Sequence, residues 1–271
     1  MLQYSISDKT AFQIVRWSTC AFFATLCIYG LLHHGFYLTP ELQTDATWVV
    51  WVQAGIAVCG LNRRGVPLMA LGILVLYFAA AAHYGFYHLL DYVAFPGIAY
   101  FLLASQQVSA RWMRSSFMVL YSTTGLTLLW DSIEKWASPY WSLPLLVDSP
   151  ALRFGLPPGF FLTASGFVEF CLTFVMLCSV SFMARIVPLF LAAVFSAAVI
   201  KFGMIDAVGH LPFAAVLIVL VLRGRPNGRE IITFKPSSLW SDAYFMTGIY
   251  CLALNLIFIA YYGLHFVSYG N

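Results

Sequence analysis

The stretch PGFFLTASGFVEFCLTFVMLCSVSF, residues 158–182, carries a single charge, Glu169. It exceeds the ~20 mostly apolar residues that a helix needs to cross a hydrocarbon core, and so reads as a membrane span. The charge is its anomaly. An ionisable side chain at mid-depth costs about 2.5–3.5 kcal/mol on insertion scales, so one that is kept has a partner or a purpose. Counting from Pro158 at about 1.5 Å per residue places Glu169 near the middle of the membrane.

The surrounding sequence is of the same kind. The 271 residues are 61% hydrophobic, 17% aromatic and 9% charged, which excludes a soluble globular domain. No h-region with a small-residue cleavage site precedes the first apolar segment, so the N-terminus is expected to be a retained, short amphipathic lead-in. All six cysteines fall in apolar segments, which argues against a disulfide framework. Nine spans are expected, at about 14–33, 46–62, 65–88, 91–107, 114–133, 158–182, 185–205, 208–223 and 241–267.

Orientation follows from Lys and Arg in short loops. Lys9, Arg16, Arg63, Arg64, Arg111, Arg114, Arg185, Arg223, Arg225, Arg229 and Lys235 all fall on one side of the nine-span arrangement. That side is the cytoplasmic one, which puts the N-terminus in the cytoplasm and the C-terminus in the periplasm of a bacterial inner membrane. The basic run 223–235 is placed to meet anionic headgroups. The histidines His33, His34, His83, His88, His210 and His265 then gather at the outer helix ends, with the acids Glu41, Asp45, Asp91, Asp131, Glu134, Asp148 and Asp206. Interfacial preference explains such an arrangement, and so does an outward site for protons, a metal or a polar ligand. The outer connection 134–157, with Pro139, Pro144, Pro150 and Pro157, is a plausible lid or docking surface.

The segments 61–103 and 182–222 align with each other: Arg64 on Arg185, Pro67 on Pro188, Asp91 near Asp206 and Pro96 near Pro212. Upstream, WVQAGIAV matches FVEFCLTF, which sets Gln53 against Glu169. The fold expected is therefore an all-α polytopic membrane protein with about nine transmembrane helices. It comprises two parallel four-helix repeats, in 1–110 and 111–224, and a basic loop with a C-terminal helix in 225–271.

Within the second copy, Gly125, Lys135 and Pro139 at the end of one helix, Gly166 and Glu169 in the next, and Arg185 opening a third resemble the DoxX-like family of four-helix membrane proteins. The resemblance covers residues 112–223 and, more weakly, 14–107. It implies a fold and a range of roles, among them thiosulfate to quinone oxidoreductase subunits and partners in oxidative-stress complexes. Because the first copy has Gln53 where the second has Glu169, activity that needs the Glu is expected in the second unit. Replacements of Gln53 are expected to be mild.

The candidate catalytic residues are Glu169, Lys201, Asp131 and Lys135. Lys201 is the expected ion-pair partner of Glu169 or Asp131, and such a pair can be purely structural. Desolvation can also bring a carboxylate and a lysine toward working pH, which suits a proton-accepting or quinone-contacting site. The candidate metal ligands are His210 with Asp206, four residues apart, and His83 with His88. No CxxC, HExxH or nucleotide-binding glycine pattern is present. Three readings stand: a membrane component of a redox or quinone-linked system, working with other membrane or periplasmic redox subunits; a handler of a divalent metal ion or small solute; and a non-catalytic scaffold. Whether the chain is an enzyme stays open.

Overall fold

The computed structural model describes residues 6–107, 109–139, 142–147, 150–178, 183–202, 204–223 and 239–270, and leaves out the side chains of 145, 152, 183, 184, 194, 195, 197–202, 204–206, 239 and 242. The described chain is all-helical apart from one short hairpin. Helix α1 (Asp8–Leu32) opens on Ser7, whose hydroxyl accepts the Thr10 N–H at 3.1 Å, with Asp8 in the first turn. Capping satisfies one of the orphan donors, and the acid meets the positive end of the helix dipole. The hairpin pairs β1 (Gly35–Phe36) with β2 (Gln43–Thr44), antiparallel, with Gly35 opposite Thr44.

Next come α2 (Thr47–Leu61) and α3 (Val66–Tyr84), the latter closed by Gly85 at φ 91°. That left-handed backbone favours glycine, and it ends the helix earlier than the apolar run suggests. A 3₁₀ turn (His88–Tyr92) then leads into α4 (Ala94–Ala104). Then follow α5 (Ala110–Ala137), the short α6 (Leu143–Val147), a 3₁₀ turn (Pro150–Arg153) and α7 (Pro158–Cys178). The chain continues with α8 (Met183–Phe202), α9 (Met204–Arg223) and α10 (Leu239–Tyr269).

Among the described residues, nine helices of 11 residues or more match the nine segments expected, with α6 inside the expected outer connection. Among the described residues, four stretches are long and apolar enough to cross a membrane: Asp8–Leu32, Arg63–Tyr84, Pro158–Cys178 and Ala243–Tyr269. Apolar helices also occupy Thr47–Leu61, Ala94–Ala104 and Ala207–Arg223, all shorter. The expected helix 91–107 is cut to 11 residues because the 3₁₀ turn takes up its start. There the Ala94 N–H, an orphan donor of the first turn, is taken by the Thr127 hydroxyl of α5 at 3.1 Å. Pro96 lies in the same turn, where its missing N–H costs least.

Consecutive helices pack on each other in the order α1, α2, α3, α4, with α4 returning to α1. The order α5, α7, α8, α9, with α9 returning to α5, has the same form, and the two sets meet where α4 lies on α5 and α1 on α9. One end of the bundle is basic. Arg223 donates to Asp8 Oδ1 through Nε (2.9 Å) and Nη2 (2.6 Å), lies 3.4 Å over the Phe117 ring, and has its carbonyl bound by Arg185 at 3.3 Å. Those contacts join the start of α1, the end of α9 and α8 at one level.

The α4–α5 contact depends on Gly97, where an added Cβ would lie 1.8 Å from Thr123 Oγ1 and 2.7 Å from Thr123 Cβ. Thr123 cannot turn away without losing its hydrogen bond to the Val119 carbonyl at 2.8 Å. Gly97→Leu is therefore expected to destabilise the fold by about 3 kcal/mol or more, the upper range for overpacking. Thermal unfolding in detergent checks this: a melting temperature equal to wild type would refute the close packing of α4 on α5.

Candidate functional site

Lys135 lies in the last turn of α5, and its Nζ is shared between two carboxylates. Asp131, one turn back on the same helix, takes it at 2.6 Å, and Glu169 of α7 takes it at 2.7 Å. The two bonds differ in weight. The Asp131 side chain is 42% exposed, and an i,i+4 surface pair contributes only about 0.3–0.5 kcal/mol. Glu169 is 12% exposed and Lys135 18%, and their bond crosses between helices in a drier setting.

What lets α7 come so close is Gly166, one turn before Glu169. A Cβ there would meet Trp136 Nε1 at 2.9 Å and the Ser132 carbonyl at 3.0 Å. The Trp136 indole N–H also donates to the Thr163 carbonyl at 2.9 Å, fixing the register of α7 on α5. Three of the four residues expected to carry chemistry thus meet in one network. The fourth, Lys201, was expected as the ion-pair partner of Glu169 or Asp131; its side chain lies outside the described residues, among which both carboxylates meet Lys135. Glu169 is central in its own helix yet level with the final turn of α5. At 28 residues α5 is about 42 Å long, so the network at its last turn lies at one end of that helix.

More acids lie around this end. Glu134 on α5 and Asp91 in the 3₁₀ turn face each other's fields, and Tyr92 donates its hydroxyl to Glu41. Burial first, and then the carboxylates of Glu134, Asp131 and Glu41, hold Asp91 well above the usual carboxylate range, with Lys135 pulling the other way. Its Oδ1 is sealed from solvent and has no hydrogen-bond partner among the described residues. The sequence placed Glu41 and Asp91 among the outer acids but not in this network, and Tyr92 was not singled out, because Glu41 and Tyr92 meet across 51 positions and no periodicity carries that contact.

The histidines His83 and His88 lie among tyrosines. His83 packs near Tyr37 and Tyr84, with centroids 6.0 and 4.9 Å away. His88 lies between Tyr84 and Tyr92, at 5.8 and 6.1 Å. Burial lowers the His88 pKa, opposed by Glu41. Helix α9 runs unbroken through 206 and 210, so Asp206 and His210 share a face, but the Asp206 side chain is outside the described residues. Among the described residues no group of three or more His, Cys, Asp or Glu is placed to hold a metal ion.

An aromatic seam adjoins the network and attaches α10. Tyr261 packs on Tyr87 and Trp130, with centroids 5.4 and 5.2 Å away, and its hydroxyl meets the Ser138 hydroxyl at 2.7 Å. Trp136 stacks on Phe258 at 5.7 Å, and Phe170 meets Tyr250 edge-on at 5.3 Å. In the first half, Gln53 occupies the position aligned with Glu169 and does a different job. It is fully buried, and its Nε2 donates to the Phe36 carbonyl and, at 3.4 Å, to that of Tyr37, tying α2 to the hairpin. A carboxylate has no donor for those carbonyls.

Comparison of the chain with protein-family models, with curated proteins and with solved structures finds no match.

The expectation of mild Gln53 replacements concerned activity, whereas the hydrogen bonds of Gln53 to the hairpin bear on stability. Gln53→Leu strands two carbonyls and is expected to cost about 1–3 kcal/mol. A drop in melting temperature reports this, and an unchanged one would remove Gln53 from the hairpin's support.

Asp91→Asn is expected to stabilise the protein above neutral pH. A carboxyl whose folded pKa is raised favours folding least when ionised, so wild-type stability falls as pH rises from the unfolded value through the raised folded one. The advantage of Asn is therefore largest at high pH and vanishes below the ordinary Asp range. Melting curves across pH test it, and a pH-independent difference would contradict the assignment.

Proposed function

We propose that the chain is a bacterial inner-membrane component of a redox or quinone-linked system, oriented with its N-terminus cytoplasmic, its C-terminus periplasmic and the Lys135 network on the outer side. The DoxX-like resemblance of residues 112–223 points the same way, as does the basic character of the opposite end. The observation that carries the reading is Glu169. One oxygen binds Lys135, while Oε1 is buried with no hydrogen-bond partner among the described residues.

A structural bridge that filled both oxygens would leave nothing to bind. An unused buried acceptor beside a shared ammonium can take a hydroxyl from a ligand, or the proton that hydroxyl releases. Trp136, Phe170 and Phe258 supply flat apolar faces beside it, suited to an amphipathic ring. A quinone taking up electrons also needs protons, and a quinol giving them up must release protons. The Asp131–Lys135–Glu169 group is placed to exchange them, with the electrons supplied or removed by other membrane or periplasmic subunits. The scaffold reading is favoured by a different feature of the same group: Lys135 ties α5 to α7.

One experiment separates the two. Quenching of tryptophan fluorescence by a short-chain ubiquinone in detergent is expected to saturate for the wild type, with affinity weakened at least about tenfold in Glu169→Gln, the loss expected for a charge-assisted hydrogen bond. Lys135→Met, which leaves two carboxylates without their cation, is expected to lower the melting temperature far more than Glu169→Gln. Absence of saturable binding in the wild type, with both variants changing stability only, would leave the scaffold.

A further inference from the structure

Helix α10 is attached along one edge. Tyr250, Leu254, Ile257, Phe258 and Tyr261 face the aromatic seam, while none of the apolar window within Ala243–Tyr269 is buried. On its outer side Gly248, Cys251, Asn255, Ile259, Tyr262 and Phe266 are all exposed and follow one another at spacings of three or four residues. At about 100° per residue they form a stripe within an arc of roughly 80°.

Asn255 lies midway along the Ala243–Tyr269 span, where the surroundings of a lone chain are hydrocarbon. Its Nδ2 donates to the Cys251 carbonyl at 2.7 Å, and the second N–H and Oδ1 have no partner among the described residues. Acyl chains offer neither donor nor acceptor, so the amide needs a polar group at the same depth. Gly248 and Gly263 have open space where a side chain would stand, which admits a second helix closely.

We infer that α10 is the interface of a homodimer. Two copies inserted in the same orientation are related by an axis along the membrane normal, so their α10 helices pack parallel and Asn255 meets its own copy at equal depth. A carboxamide carries a donor and an acceptor and is its own complement across a two-fold axis. A single polar residue in an otherwise apolar stripe also fixes register. The same geometry brings Cys251, one turn away, against Cys251 of the second copy. It is the one exposed cysteine among the six, and among the described residues no disulfide is formed. The inference does not depend on the ligand of the Lys135 network.

The full chain reconstituted in liposomes and oxidised with copper phenanthroline is expected to give a disulfide-linked dimer on a non-reducing gel. Cys251→Ala should abolish that band, and Asn255→Leu should reduce it about five- to tenfold at equal protein density, the size of an interhelical polar contact in lipid. Asn255→Gln should retain it. Energy transfer between fluorescently labelled copies gives a second measure, with Asn255→Leu shifting dimerisation to about five- to tenfold higher density. Because that substitution puts an apolar side chain on a lipid-facing position, its melting temperature should match the wild type. Monomers at all densities, cross-links that survive Cys251→Ala, or a dimer indifferent to Asn255→Leu would overturn the inference.

Discussion

A surrounding medium that cannot hydrogen-bond sets the terms for this chain, because every backbone group inside it must find a partner within the protein. Helices supply most of those partners, so the places where helices begin and end become the places where side chains matter. The short α4 shows how this works. Its first turn would strand the Ala94 N–H, and the chain answers with the Thr127 hydroxyl from α5 and a proline in the same turn. Gly97 then lets the two helices close to the distance that this bond requires. The position of the 3₁₀ turn that carries Asp91, and so the approach of that acid to α5, depends on the same contact.

The same medium explains why charges collect as they do. At one end Asp8 and Arg223 close the bundle by joining its first and ninth helices, and the arginine's face is covered by Phe117. At the other end a single ammonium serves two carboxylates, with Glu134 and Asp91 in its field and Glu41 accepting the Tyr92 hydroxyl. The first arrangement balances charge for charge and reads as structure. The second gathers several carboxylates around one cation, a setting in which burial and like charge raise the pKa of Asp91.

Much of this was legible in residue order. The apolar runs set the number and sequence of long helices, because a span is a count of residues and counts survive in sequence. Asp131, Lys135 and Glu169 were legible too, since a charge in an apolar run is visible without coordinates. The cation of the bridge was not. Lys201 was the partner expected for Glu169 or Asp131, and the bridge to Lys135 depends on the approach of α7 to α5 at Gly166, which no spacing in the sequence carries. Helix ends were misjudged wherever a backbone device acted, as at Gly85, because apolar composition continues past the point where the helix stops. Contacts such as Ser138 with Tyr261, 123 positions apart, leave no local trace.

The alignment of Gln53 with Glu169 gains meaning from what each side chain does. In the first half the position faces two backbone carbonyls of the hairpin, and only a donor fits there. In the second half it faces the ammonium of Lys135, and only an acceptor fits. The order of helix pairing has the same form in both sets, and the two side chains serve it differently, Gln53 tying a helix to the hairpin and Glu169 bridging two helices through Lys135. α10 adds a third surface, held by Tyr250, Phe258 and Tyr261 against Phe170, Trp136, Trp130 and Tyr87. Tyr87 belongs to the first set of helices and Trp130 to the second, so α10 closes over the place where the two sets meet, beside the Lys135 network.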